Sequence, residues 1–194
     1  MSAPMAGEAS GETRCFVALL PDAASRQILQ RCREALARSI AGIARGVRWV
    51  EPPALHLTLR FLGASAPAQI AYLKHQLPTL APTLPAIATR RYAIWPNRAR
   101  PRLLVLELES EPQLVALAHD CEMHARKAGF APEGRGFRAH VTLARLRPGC
   151  AFGILPNPPP TITFDSVALM QSKLTQPAAT YTELARIELA GSVI

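Results

Sequence analysis

Two short runs have the residue types and spacing for proton-transfer chemistry: His56-Leu57-Thr58-Leu59 and His140-Val141-Thr142-Leu143, almost half a chain apart in 194 residues with only five histidines. In an extended strand, side chains two apart share a face, so each histidine projects beside its threonine while the leucines and Val141 enter a core. Histidine's unperturbed pKa of ~6.5 lets one imidazole give a proton near neutrality while another takes one. That pairing suits phosphodiester hydrolysis. A neutral imidazole draws a proton from water as the oxygen attacks phosphorus, and an imidazolium opposite protonates the departing oxygen. Threonine hydroxyls can donate to the non-bridging oxygens, and an arginine can hold the charge the pentacoordinate state gathers. Arg145, near the end of the second histidine's strand, is the best-placed arginine; the plainer alternative is a solvated strand end. One His-x-Thr strand alone would mean little, whereas two copies, each followed by leucine, carry the reading.

The elements that must position these runs are readable from periodicity. Arg14 to Leu20 alternates as a first strand, and a helix with Asp22 as N-cap follows, with Ile28, Cys32, Leu36, Ile40 and Ile43 at helical spacing. Val47 to Val50 is extended, and Leu55 to Leu62 is a strand ending at Gly63. Ser65 opens a second helix bearing Ile70, Leu73, Leu77 and Leu80, which Pro78 shortens or bends. Ile87 to Trp95 and Leu103 to Leu108 form a hairpin with a long basic tip, Pro96 to Arg102. Ser110 and Gln113 have capping-box spacing before a third helix with Leu114, Leu117, Cys121, Ala125 and Ala128 on one side and Gly129 as its stop. Strands follow at His140 to Leu146, Thr161 to Met170 and Tyr181 to Leu189. Helices and strands mix without strict alternation, which predicts an α+β fold with mostly antiparallel sheets. The similar halves predict a pseudo-symmetric, bilobal domain over 13–194, behind a small, polar, disordered tail over 1–12.

Composition narrows the classes. Lys and Arg total 22 against 14 Asp and Glu, for a net charge of +8; a basic surplus favours a polyanionic partner, although it speaks to steering rather than reaction. No apolar run reaches the ~18 residues of a membrane span, and the N-terminus lacks the pattern of a secretory signal, so a cytoplasmic chain is expected. Cys15, Cys32, Cys121 and Cys150 lie far apart without a Cys-x-x-Cys pair and read as free thiols. His119 and His124 do not share a helix face, unlike the histidines of a zinc-binding HExxH helix, and with His75 they read as surface residues. No glycine fingerprint of a nucleotide fold or P-loop is present.

The segments RCFVALLP, WVEPPALHLTLRFLG and GFRAHVTLAR, with Trp95 ahead of a basic hairpin and a late strand bearing Ser172 and Tyr181, resemble the two-histidine phosphoesterase superfamily. Within it the resemblance is to the RNA 2′,3′-cyclic phosphodiesterases, also called LigT-like or 2′-5′ RNA ligase proteins, and it runs from about Arg14 to Leu189. It implies two lobes with helices packed outside and both motifs lining a central groove, no metal or other cofactor, and ring opening to a 2′-phosphomonoester. By position, His56 matches the family's proton donor and His140 its acceptor. Thr58, Thr142 and Arg145 match phosphate-contacting residues, and Phe16 matches a first-strand position packed near the nucleoside. The implied partner is an RNA or nucleotide with a 2′,3′-cyclic phosphate, acted on by a monomer. Ala139 replaces a frequent proline, and MQSKL departs from the usual acidic-then-serine pattern.

Other readings use the same residues: joining RNA ends as the reverse reaction, hydrolysis of a small cyclic nucleotide, or a non-catalytic RNA-binding module, which the intact motifs disfavour. Arg90, Arg91, Arg98, Arg100 and Arg102 are candidates to track an RNA backbone. Trp95 is either a stacking platform or core.

Overall fold

A computed structural model describes residues 13–39, 46–81, 83–148, 150, 153–174 and 179–190. The expected tail over 1–12 and the helical positions Ile40 and Ile43 lie outside these residues. Strand β1 (Thr13–Pro21) leads into helix α1 (Ala23–Ser39), then β2 (Val47–Trp49), β3 (Leu57–Ser65), α2 (Pro67–Gln76), β4 (Ile87–Asn97) and β5 (Arg100–Leu108). Helix α3 (Pro112–Lys127) and strands β6 (His140–Leu146), β7 (Thr161–Ile162), β8 (Phe164–Leu174) and β9 (Ala179–Glu188) complete the chain. Among the described residues, no helix is long and apolar enough to cross a membrane.

The strands form one nine-stranded sheet in the order β7-β4-β5-β6-β3-β1-β8-β9, with β2 also paired to β6. Every pairing is antiparallel. The expected repeat is visible as two units, β1–α1–β3 and β5–α3–β6, in which a helix joins two strands of the sheet. They meet at the β3–β6 seam, where Leu57 pairs with Val141. Both are fully buried in a core shared with Leu29 and Leu36 of α1 and Leu114 and Leu117 of α3. A one-residue slip would turn them out and the histidines in, losing about 1.5–3 kcal/mol for each displaced apolar side chain.

Local chemistry explains the element ends. The Asp22 carboxylate accepts from Ser25 N–H at 2.6 Å, the expected cap of α1. Gly129, at a positive φ of 89°, closes α3 by donating to the Arg126 carbonyl, and Phe130 N–H reaches back to Ala125. Two expected caps are displaced. Ser65 remains in β3 opposite Thr13, so Ala66 precedes α2, with Pro67 first in the helix and Gln69 accepting from Ala66 N–H. Glu111 rather than Ser110 precedes α3, because Pro112 lacks an N–H and suits the first helical position. The long basic tip is also corrected. Pro96 pairs with Pro101 and Asn97 with Arg100, leaving a turn at Arg98 and Ala99 whose Asn97 side chain accepts from Arg100 N–H.

Candidate active site

The seam register sets the site. With Leu57 opposite Val141 in an antiparallel pair, His56 falls across from Thr142 and Thr58 across from His140. All four alternate away from the core residues Leu57, Leu59, Val141 and Leu143, and all are half-buried. The two motifs, distant in sequence, thus share one sheet face.

Each imidazole is held in the same way. His56 Nδ1 lies 2.7 Å from the Ala54 carbonyl, and His140 Nδ1 lies 2.7 Å from the Arg138 carbonyl, in both cases two residues back. A carbonyl only accepts, so each neutral ring carries its proton on Nδ1 and presents Nε2 as the free nitrogen. The short turn Pro52–Ala54 aims the first of these carbonyls.

Arg145 reaches this face through an irregularity that alternation does not foresee. Leu104 pairs with Ala144 but Val105 pairs with Thr142, so Leu143 is an extra residue in β6. Such a bulge reverses the alternation beyond it: Leu143 and Ala144 are both buried, and Arg145, otherwise on the core side, is exposed on the histidine side. Strand β3 does the same at the same motif position. Val17 pairs with Arg60 and Ala18 with Thr58, so Leu59 is extra, Arg60 is buried and Phe61 turns outward, 60% exposed. Arg60 is anchored there by Glu122 and by the Ala131 carbonyl. Arg145 and Phe61 therefore occupy equivalent places in the two repeats.

The walls differ. Phe16, only 4% exposed, lies 4.8 Å from the His56 ring between centroids, with Tyr181 edge-on to both at 5.3 Å and Phe61 6.4 Å from Phe16. In this structure Phe16 thus backs an imidazole. Tyr181 pairs with Ser172 across β8 and β9, which brings the late strand to the site. Beside His140 stands Trp95 at 4.4 Å, with the Arg138 guanidinium 3.7 Å over the indole. Trp95 is therefore neither plain core nor an open platform. Burial lowers the His56 pKa from 6.5 to about 4, with the charges of His140 and Arg145 adding to it against the Ala54 hydrogen bond. Burial also lowers His140, opposed by the Arg138 carbonyl and Glu107 and aided by the Arg138 charge. Both rings are thus predominantly neutral near neutral pH in the unliganded groove.

The remaining sequence candidates disperse. Arg91 pairs with Glu107 of β5 and Arg90 with Glu109 just beyond that strand, whereas Arg98 sits at the hairpin turn near the Gly153 carbonyl. His75 and His119 are exposed, whereas His124 is half-buried, its Nε2 3.3 Å from the Thr79 hydroxyl. The four cysteines are free thiols. Among the described residues, no three of His, Cys, Asp and Glu are placed to share a metal ion. Phe61, Tyr181, Glu107 and Arg138 received no catalytic-site role from the sequence. For Phe61, the matching offset from the motif, RF against AR, was the available signal.

Two Nε2-presenting imidazoles, two threonines and an arginine on one face make a site for acid–base chemistry on a bound anion. The model of the family described as LigT like phosphoesterase matches residues 21–105 and 106–181, one segment in each half. The chain belongs to this phosphoesterase family. It is 27% identical over 189 residues to the RNA 2′,3′-cyclic phosphodiesterase of Aquifex aeolicus, covering 92% of this chain and 98% of that protein. It is 28% identical over 134 residues to the protein of the same name from Archaeoglobus fulgidus, covering 69% and 73%. Among solved structures it resembles E. coli LigT complexed with 3′-AMP, with a TM-score of 0.71, 25% identity and coverage of 93% and 99%. The Thermus thermophilus protein TT0787 gives a TM-score of 0.70 at 25% identity, covering 91% and 97%.

Proposed function

We propose that the protein opens the 2′,3′-cyclic phosphate end of RNA to a 2′-phosphomonoester, with His140 as general base and His56 as general acid. The observation that carries this reading is the matched tautomer: both rings spend Nδ1–H on a backbone carbonyl and offer Nε2 to the same face. His140 Nε2 takes a proton from water as the water oxygen bonds to phosphorus. The bond from phosphorus to the 3′ oxygen breaks, and His56 Nε2–H delivers its proton to that oxygen. One water is consumed, and exchange with solvent then resets both rings.

Thr58, Thr142 and Arg145 hold the non-bridging oxygens. The bound anion also supplies what the free groove lacks: burial is the main cause that keeps His56 neutral there, and a negative charge beside the ring favours its protonated form. The exposed ring of Phe61, backed by Phe16, offers the nucleobase a stacking face on the leaving-group side. Both motifs come from one chain, so a monomer carries the whole site. The names of the relatives from Aquifex aeolicus and Archaeoglobus fulgidus support the choice of substrate.

The test is incubation with a nucleoside 2′,3′-cyclic phosphate in EDTA, with the product identified by phosphorus NMR. The expected product is the 2′-monophosphate. A 3′-monophosphate would reverse the leaving group, and turnover only after adding a metal ion would overturn the mechanism.

A further inference from the structure

The two histidines share a motif, a bulge and a backbone contact, yet among the described residues a carboxylate stands in register across the sheet from His140 and not from His56. Glu107 of β5 stands opposite His140 in the sheet register and is 8% exposed. In the other repeat Ala18 faces Thr58 as Val105 faces Thr142, so the place equivalent to Glu107 is held by the apolar Leu20. A carboxylate this buried is costly unless its oxygens are satisfied. Trp95 Nε1 donates to Oε1 at 2.8 Å, Arg138 Nη2 to the same oxygen at 3.3 Å, and Arg91 Nε to Oε2 at 2.8 Å. Burial alone would push the carboxyl up, but the Trp95 and Arg91 hydrogen bonds and the Arg91 and Arg138 charges outweigh it and hold Glu107 below the usual range.

Two of these three donors belong to residues that touch the His140 ring. Trp95 forms its wall, and Arg138 both stacks on that wall and supplies the carbonyl that holds His140 Nδ1. We propose that Glu107 is a positioning residue for His140: by fixing Trp95 and Arg138 it locks the ring's orientation and tautomer, and its charge sets this histidine apart from His56. The choice of His140 as base rests on the function proposed above; the clamp on its ring does not. Among the described residues, the titratable and charged groups around His140 are Glu107 from β5, Arg91 from β4 behind it, Arg138 from its own lead-in, the neutral His56 across the seam and Arg145 further along β6. Glu107 is the acid of this set, so its removal has a definite sign: the His140 pKa falls further.

The experiment compares Glu107→Gln, Glu107→Asp and Trp95→Phe with the wild type. Its readouts are kcat and KM on a nucleoside 2′,3′-cyclic phosphate, and NMR titration of both imidazoles without substrate. Glu107→Gln is expected to lower kcat about tenfold, a smaller loss than removing the imidazole itself, with KM nearly unchanged. The His140 titration should move to lower pH and that of His56 much less. Glu107→Asp should recover part of both effects. Trp95→Phe, which keeps a ring but loses the N–H, should loosen the preference for the Nδ1–H tautomer at His140. If Glu107→Gln loses only thermal stability while kcat and the His140 titration stay at wild-type values, the proposal fails. It also fails if both histidines shift equally. If Glu107→Gln does not fold, Trp95→Phe carries the same decision through the His140 tautomer. A wild type without turnover would defeat the proposed function, whereas the substrate-free titration would still decide the role of Glu107.

Discussion

Strands β3 and β6 are near copies in backbone and near opposites in surroundings. Each has a histidine at its start, His56 just before β3 and His140 first in β6, whose Nδ1 is tied two residues back, a threonine two residues on, and a bulge at the following leucine that turns the residue two further on outward. In β3 that residue is Phe61 and the histidine is walled by Phe16 and Tyr181; in β6 it is Arg145 and the wall is Trp95 with Glu107 and Arg138 behind. One repeat presents an aromatic surface and the other a charged one. A repeated backbone can fix where two reacting nitrogens sit while the side chains around them diverge. That divergence suits the ligand proposed above, which has an anionic end and a planar end.

Removing one member of the histidine pair should have the largest effect. His56→Ala or His140→Ala should each cost at least about 10²-fold in kcat/KM, the lower end for loss of a general acid or base, with circular dichroism unchanged. Steady-state kinetics check this, and a variant retaining wild-type turnover would remove its histidine from the chemistry.

A milder break uses the equivalent places after the bulge. Phe61→Ala should raise KM for a nucleoside cyclic phosphate by roughly tenfold, within the ~1–3 kcal/mol of a base–aromatic stack, and leave KM for an abasic ribose 2,3-cyclic phosphate unchanged. Arg145→Ala should impair both substrates alike. Equal effects of Phe61→Ala on the two substrates would deny the ring its contact with the base.

The smallest effect is on stability. The His56 pKa is about 4 in the folded protein against an ordinary value of 6.5. The unfolded chain therefore binds this proton more readily, and stability falls as pH drops from 6.5 toward 4. Urea midpoints at pH 7 and pH 5 should differ less in His56→Gln than in the wild type. An unchanged difference would mean that the ring is not held neutral by burial.

Much of the site was legible because its rules are local. Two His-x-Thr-Leu runs need only strand alternation to place four polar groups on one face, and Asp22 and Gly129 end helices by chemistry written within a few residues of them. The illegible part depended on pairing across the sheet. Nothing in residues 140–146 announces that Leu143 has no partner residue in β5, since a bulge exists only relative to that strand, and so the sequence alone gives no cause for the course of Arg145. The link from Trp95 to Glu107 likewise needed the β4–β5 register. The hairpin tip is shorter than its sequence suggests because Pro96 and Pro101 face each other across the hairpin, a pairing that only the register reveals. Ser65 and Ser110 were natural caps by type, but the strand carried on through one and a proline at the next helix start displaced the other.

The proposed function stands on two imidazoles that address one anion. Nitrogen-15 NMR of both histidine rings, recorded while a nucleoside 2′-monophosphate is added, tests it without any turnover. Both Nε2 signals should shift along one binding curve, both pKa values should rise, and Nδ1 should remain protonated throughout. A response confined to one ring, or two curves with different midpoints, would contradict it.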